Sequence, residues 1–541
     1  SQLILKPSTE CMYSSDQTWL CEAGYSEEDG LFHIHKDVSI TTAQQLGIKS
    51  LSQNLVSDAE GFEEWGQEEP LTRRIHNLLE EGYADGFSIP KEIIQNADDA
   101  CATEVCFLYD ERENHDAMTR LLDVGMAECQ GPALWAYNNA EFSSEDLKNL
   151  TQLSGATKAN DTTKIGKFGL GFCSVYNLTD VPTLVTGSDI VIFDPHKTHL
   201  GKALPGPRPG LRINLASQKN RKLLTRLDHQ FKPFQNIFGC TLRADPQNPY
   251  KGTLFRFPFR TTSKSEIKPH PYLKQDRIEL LKKLMEYGGN ILLFTQNVLK
   301  VKLFHLPRDC MYPTKMMMLY TIEKSFLDPF LPERKSVLQR MAELCKNSKY
   351  ISTNQFEAVQ RISIRTSIKK ETSQVIQGIN KIIGDVGTDW LISWTSGQNE
   401  CLHLMGKLKK SVVPLGAVAL LIHKDENSHI MPRSVNQSPL GFYKESHFFC
   451  FLPLPLTTTL PVHINGTFAV TSDRKQLRVS TQDENKTVES EWNDALLGDA
   501  VCGAYLHLLK YLSKTADISV NYDCFQLWPF GSCSLVSILK T

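Results

Sequence analysis

"KEIIQNADDA", residues 91–100, sets two stripes side by side on one helix. Ile93, Ala97 and Ala100 recur at i, i+4 and i+7 and form an apolar face. Glu92, Asn96 and Asp99 recur at the same spacing and form a polar stripe beside it. A helix docked on a core usually turns its carboxylates to water. Two carboxylates and an amide along the edge of a buried face point instead to a polar site inside the fold, with Asp99 expected at the rim of the packed helix. Pro90 stands near the helix start, where a missing N–H costs little.

Working outward, Leu71, Ile75, Leu78 and Leu79 give a second helical pattern upstream. Downstream, Val105, Phe107 and Tyr109 alternate in a strand, and "PALWAYNNAEFSSEDLKNL" reads as strand, turn and a helix capped by Ser143 or Ser144. "DIVIFDP" and "GTLFRFPFR" are further strands. Strands and helices do not simply alternate, so the spacing predicts an α+β layer. The polar, Pro-containing stretch 261–275 marks a boundary. Beyond it, "DRIELLKKLMEYGGNILLF" reads as an amphipathic helix running into a strand, "HFFCFLPLPLTTTLPVHINGTFAV" is strand-rich, and "WNDALLGDAVCGAYLHLLKYL" is helical. The partition expected is a flank over 1–65, one domain over 66–262 and a mixed α/β segment over 263–541.

Composition narrows the function class. The 59 Lys and Arg against 61 Asp and Glu give a formal charge of -2, without the basic excess of a nucleic-acid binder. The 14 cysteines are scattered singly with no CxxC pair, which reads as buried thiols of a reducing compartment rather than a zinc or redox framework. No basic n-region precedes an apolar h-region, and no long apolar run predicts a membrane span. The abrupt start without Met suggests a segment of a longer protein.

"KIGKFGLGFCSVY", residues 164–176, carries Gly166, Gly169 and Gly171 into an apolar helix of Phe172, Val175 and Tyr176. Glycines there let a ligand approach the backbone, and a helix N-terminus offers unpaired N–H groups and partial positive charge, a phosphate cradle. "SGATK", residues 154–158, adds a hydroxyl and the ammonium of Lys158. Asn96 offers a hard amide oxygen suited to Mg²⁺, and Glu92, one turn back, a carboxylate able to take a proton from water. Order and separation together point to a magnesium–nucleotide site.

"EIIQNADDA" followed by "IGKFGLGFCSVY" resembles the N-box and glycine lid hinge of the GHKL ATPases, most closely the heat-shock protein 90 family. The resemblance implies a Bergerat-type α/β sandwich followed by a middle-like domain, with ATP and Mg²⁺ as cofactors. Residue by residue it implies Glu92 as catalytic base and Asn96 on the metal. Asp99, Lys158, Gly166, Gly169, Gly171 and Phe172 would lie around the nucleotide. "GTLFRF" is similar to the family's last strand, which places Thr253 near the adenine. "INGTFAVTSDRKQL" is similar to a loop that sends an arginine to the γ-phosphate, here Arg474. "GPALWAYNNAEFS", "LTDVP", "DPH" and "PVHINGTFAVTS" narrow the resemblance to one large vertebrate protein built of several such units. That implies a cytoplasmic chaperone or co-chaperone role, with the heat-shock protein 70 system and client proteins as partners.

One motif departs. The family reads adenine with D-x-G-x-G; here "YNNAEFS" puts Asn138 in place of the Asp, and neither glycine is present. A neutral acceptor is worth ~1 kcal/mol where a charged one gives ~1.5–3 kcal/mol. Two readings stand open: a slow nucleotide-driven chaperone module, and a scaffold that keeps the fold without the turnover.

Overall fold

A computed structural model describes residues 69–514 apart from 83–87, 115–118, 152–170, 243–248, 311, 328–336, 347–355, 378–383, 409–411, 425–429, 433–444, 472–474 and 480–486, together with 3–5, 12–14, 18–19, 32–34, 38–48 and 527–528. Two compact units result, Ser1–Glu69 and Pro70–Thr541. In the first, β1 (Leu3–Leu5) pairs antiparallel with β2 (Met12–Ser14) and β3 (Thr18–Trp19) parallel with β4 (Phe32–His33). Its helix α1 (Ile40–Gln45) buries Ala43 with Ile34 and Ile48.

The second unit opens with α2 (Leu71–Gly82), α3 (Ser88–Asp99), β5 (Glu104–Asp110), β6 (Ala133–Asn138) and α4 (Ser144–Leu150). It continues through β7 (Thr183–Gly187), β8 (Asp189–Phe193), β9 (Gly210–Asn214), α5 (Gln218–Arg226) and β10 (Tyr250–Pro258). Next come α6 (Lys274–Ile291), β11 (Lys300–Leu306), β12 (Met317–Phe326), α7 (Val337–Lys346), β13 (Glu357–Ile368) and β14 (Gly384–Ser396). The rest is α8 (Asn399–Lys407), β15 (Leu415–Lys424), β16 (Ile430–Pro432), β17 (Ser446–Cys450), β18 (Leu452–Thr458), β19 (His463–Gly466), α9 (Val488–Leu496) and α10 (Cys502–Lys514).

Among the described residues these strands form one 15-stranded sheet, ordered β18-β17-β19-β15-β14-β13-β12-β11-β5-β6-β10-β7-β8-β9 with β16 on β15. Its pairs are antiparallel except β5 with β11 and β17 with β19. The mixed sheet and its flanking helices are compatible with the expected α+β class. Residues 261–273 run between β10 and α6, and the sheet continues past them: Lys300–Leu306 lie in register with Glu104–Asp110. Ile267, inside that stretch, is buried in the same core as Phe107 and Leu303.

β5 carries apolar side chains on both faces, and both are covered. Val105, Phe107 and Tyr109 meet Ile75, Leu79, Ile93, Ala97 and Leu284 from α2, α3 and α6. Leu108 faces the other way, with Trp135, Leu254, Met126 and Leu224. A third cluster seats α9 and α10, through Trp492, Tyr505 and Leu508, on Val418 and Leu420 of β15. Each fully buried large apolar side chain contributes ~1.5–3 kcal/mol, enough to fix which face a helix presents.

Two local readings change. "NILLF" is the buried end of α6 and a turn, not a strand, with Ile291 to Phe294 fully buried. A short apolar run has no periodicity that separates helix end from strand. The predicted apolar helix after Gly171 is a 3-10 turn, Gly171–Asn177. The α4 cap is Ser143: its Oγ accepts from Asp146 N at 3.1 Å, and Asp146 Oδ2 accepts from Ser143 N at 3.0 Å, a capping box.

Candidate functional site

The polar stripe of α3 is where the sequence put it. Glu92 is only 6% exposed, beside the buried Ile93 and Ala97. Asn96 is half-buried, and Asp99, the last residue of α3, is half-buried at the helix end. α3 packs on the Gly171–Asn177 turn. A β-carbon placed on Gly171 would stand 1.7 Å from Glu92 Oε2 and 2.4 Å from its Cδ. Only a glycine leaves room for that carboxylate. The fold thus brings together two of the expected residues that lie 79 positions apart.

Phe172 anchors the same turn on the sheet, its ring 5.4 Å from Phe193 and 6.0 Å from Phe255. The far end of the turn is tied by a buried ion pair. Arg260 Nη2 donates to Asp180 Oδ1 at 2.7 Å and to Tyr176 O at 2.7 Å, and Ser265 Oγ donates to Asp180 Oδ1 at 2.8 Å. A buried guanidinium with its carboxylate and carbonyl partners satisfied holds a backbone in place.

Asn138 and Thr253 stand opposite one another on β6 and β10. Both are buried, and both are engaged locally. Asn138 Oδ1 accepts from Ala140 N at 3.1 Å. Thr253 Oγ1 donates to Ala140 O at 2.8 Å and lies 2.9 Å from Thr186 Oγ1, which accepts from Phe142 N at 2.9 Å. Gly252, at φ +113°, lets β10 make this approach; a β-carbon there would stand 2.5 Å from Asn138 O. An amide oxygen has two lone pairs, so Asn138 retains one acceptor position. Lys158, Gly166, Gly169 and Arg474 lie outside the described residues.

Sequence reasoning passed over Asp98. It is 2% exposed, and its carboxylate accepts from Gln296 N at 3.0 Å, Asn297 N at 2.7 Å and Val298 N at 2.7 Å. Burial pushes its pKa up to about 6, against the pull of those three N–H donors. Lys324, buried nearby, donates through Nζ to Thr295 O at 2.8 Å; burial pulls its pKa down to about 8, while the Asp98 charge pushes it up. The site helix is thereby fastened to the loop that leads into β11. The available signal was spacing, since Asp98 falls four residues after Ile94, on the apolar face.

None of the ten described cysteines is in a disulfide, and burial raises several thiols, Cys129 and Cys173 to about 12. Among the described residues no helix is long and apolar enough to cross a membrane.

Comparison with known proteins gives the chain its relatives. Residues 68–318 match the Sacsin domain family. The chain is 33% identical to human sacsin over 592 aligned positions, which cover 98% of this chain and 12% of that protein. A crystal structure of the N-terminal domain of a DNA repair protein aligns over 78% of this chain and 95% of its own at 8% identity, with a TM-score of 0.31 that is too low to bear on the fold. The domain match over residues 68–318, with the alignment to human sacsin along nearly the whole chain, makes the chain a sacsin-like region.

Proposed function

We propose that the chain is a chaperone-related module whose site at Glu92, Asn96 and Gly171 takes the phosphate end of Mg-ATP, with slow or absent hydrolysis. The observation that carries this reading is the buried Glu92 carboxylate lying against Gly171, the glycine that opens the turn. The donor set fits: Asn96 offers an amide oxygen for Mg²⁺, and Glu92 a carboxylate one helical turn away. Asn96 would hold the cation, which would offset the phosphate charges; Glu92 would take the proton of an attacking water, and Arg474 is assigned, on the GHKL resemblance, to the charge that would develop in transfer. Lys158, Gly166 and Gly169 are assigned to the phosphate cradle on the GHKL resemblance. A cytoplasmic setting, heat-shock protein 70 partners and client proteins belong to the same reading and rest on the resemblance.

The base end supports less. With Asn138 and Thr253 committed to Ala140, adenine gains one neutral hydrogen bond, worth ~1 kcal/mol. Affinity in the micromolar to millimolar range follows, ~4–8 kcal/mol. The same closure favours a second reading, a scaffold that has kept the fold and given up the nucleotide.

Calorimetric titration of the folded chain with Mg-ATP and Mg-ADP separates them. Saturable heat that disappears in Asn96→Ala supports the nucleotide module. A flat titration at millimolar Mg-ATP removes it and leaves the scaffold.

A further inference from the structure

A second polar site lies on the other face of the sheet. Along β10, Phe255 and Phe257 point to the core beneath α3, and Leu254 and Arg256 point the opposite way. There a cavity of about 460 Å³ is bordered by Asp110, Arg112, Lys232, Arg256, Arg308 and Asp309. That is the size of a small-molecule site.

Arg256 is its unusual member. The residue is 5% exposed, yet among the described residues no carboxylate pairs with it. Its Nη1 donates to Cys129 O at 2.5 Å and its Nη2 to Gly131 O at 3.0 Å, both neutral carbonyls. Nε has no hydrogen-bond partner. The guanidinium lies 5.4 Å from the centre of the Trp135 ring, which attracts a cation without neutralising it. Burying a charge without a counter-charge is costly, and its pKa is drawn down to about 10 by burial.

The carboxylate whose charge bears on it, Asp110, is already committed. Asp110 accepts from Arg112 Nε at 2.9 Å, Arg112 Nη2 at 2.8 Å, Arg112 N at 3.0 Å and Trp135 Nε1 at 3.1 Å. Glu113, also on the cavity wall, pairs with Arg308 Nη2 at 2.8 Å. The lining thus holds four cationic side chains against three carboxylates, and among the described residues no carboxylate pairs with the buried Arg256. Lys232 and Arg308 are exposed at the mouth, where they can draw an anion in.

We propose that this cavity binds a small multivalent oxyanion, a phosphate monoester or a dicarboxylate, between Arg256 in its wall and Lys232 and Arg308 at its mouth. Asn114 Oδ1, buried in the lining with no hydrogen-bond partner among the described residues, can accept from a hydroxyl of the bound molecule, while the N–H groups of Asn114 and Gln130 are engaged by Gln130 Oε1, His229 O and Met126 O. The site is separate from the one at Glu92 and does not depend on nucleotide binding there.

The test uses the full chain at fixed ionic strength, titrated calorimetrically with inorganic phosphate and, separately, with malonate, against sodium chloride. Saturable heat is expected with at least one of the two. Lys232→Gln/Arg308→Gln, both exposed positions, should weaken it at least tenfold with an unchanged melting temperature, and Asn96→Ala should leave it intact. A response to phosphate alone assigns phosphate esters, and one to malonate alone assigns dicarboxylates. The proposal is overturned by no saturable heat above the chloride baseline, or by heat that persists in the double variant or is lost in Asn96→Ala.

Discussion

The carboxylate of Glu92 lies against the α-carbon of Gly171, so close that a β-carbon on the glycine would meet Oε2 at 1.7 Å. A methyl group there must push the buried carboxylate away from the turn. Gly171→Ala should cost ~1–3 kcal/mol, the range for overpacking. Glu92→Ala in the same chain should restore most of that stability, because the two changes share one contact. Strictly additive losses in urea melts would show that the two groups do not compete for the space.

Should turnover be measurable, Glu92→Ala should lower it about 10²–10⁴-fold and leave Mg-ADP affinity within about twofold, since a general base acts in the transition state. Arg474→Ala should likewise slow turnover and spare ADP. Turnover equal to that of the parent chain in Glu92→Ala would remove the base assignment.

Asp98 and Lys324 give a pH signature. The Asp98 carboxyl has its pKa raised from 3.8 to about 6 in the folded chain, so the fold holds a proton that the unfolded chain has released. Its contribution to stability is therefore largest below about pH 4 and is lost as pH rises to about 6. Lys324 is drawn from 10.5 down to about 8, so its neutral form favours folding as pH rises above about 8. Asp98→Asn should gain on the parent chain between pH 4 and pH 6, and Lys324→Met should lose the upward limb above pH 8. A stability difference that is constant from pH 4 to 6 would count against a buried, raised Asp98.

Arg260→Ala would strand Asp180 as a buried charge and release the carbonyls of Tyr176 and Asn177. Removing one partner of a buried pair costs ~3–5 kcal/mol. We expect a loss of that size in the denaturation midpoint. A loss below about 1 kcal/mol, the range for an exposed pair, would place the pair in solvent.

The partition at residue 262 is also testable. A fragment 66–262 would leave β5 without β11, and Val105 and Phe107 without α6. An open strand edge beside bare apolar surface aggregates. We expect the fragment to be insoluble, with solubility restored by extension to residue 310. A cooperative melt of 66–262 alone would make it an autonomous domain.

By itself the sequence determined the elements whose periodicity is long and unambiguous. The stripes of α3, the alternation of β5 and a serine cap at Ser143 or Ser144 are local, and side-chain spacing dictates them. The polar stripe was legible for the same reason: Glu92, Asn96 and Asp99 share a face whatever the helix packs against. Contacts made across the chain were decided by tertiary structure alone. Nothing local shows that Gly171 closes on Glu92, that Asp98 rather than Asp99 is the buried carboxylate, or that Asn138 and Thr253 spend their hydrogen bonds on Ala140. The sheet's passage across residues 261–273 was hidden too, because parallel pairing of β5 with β11 joins strands almost 200 residues apart and leaves no mark on either. Arg256 was least legible of all. In "GTLFRFPFR" it is one polar residue in an alternating strand, and only the fold reveals that its side of the sheet is covered and its charge left without a carboxylate among the described residues.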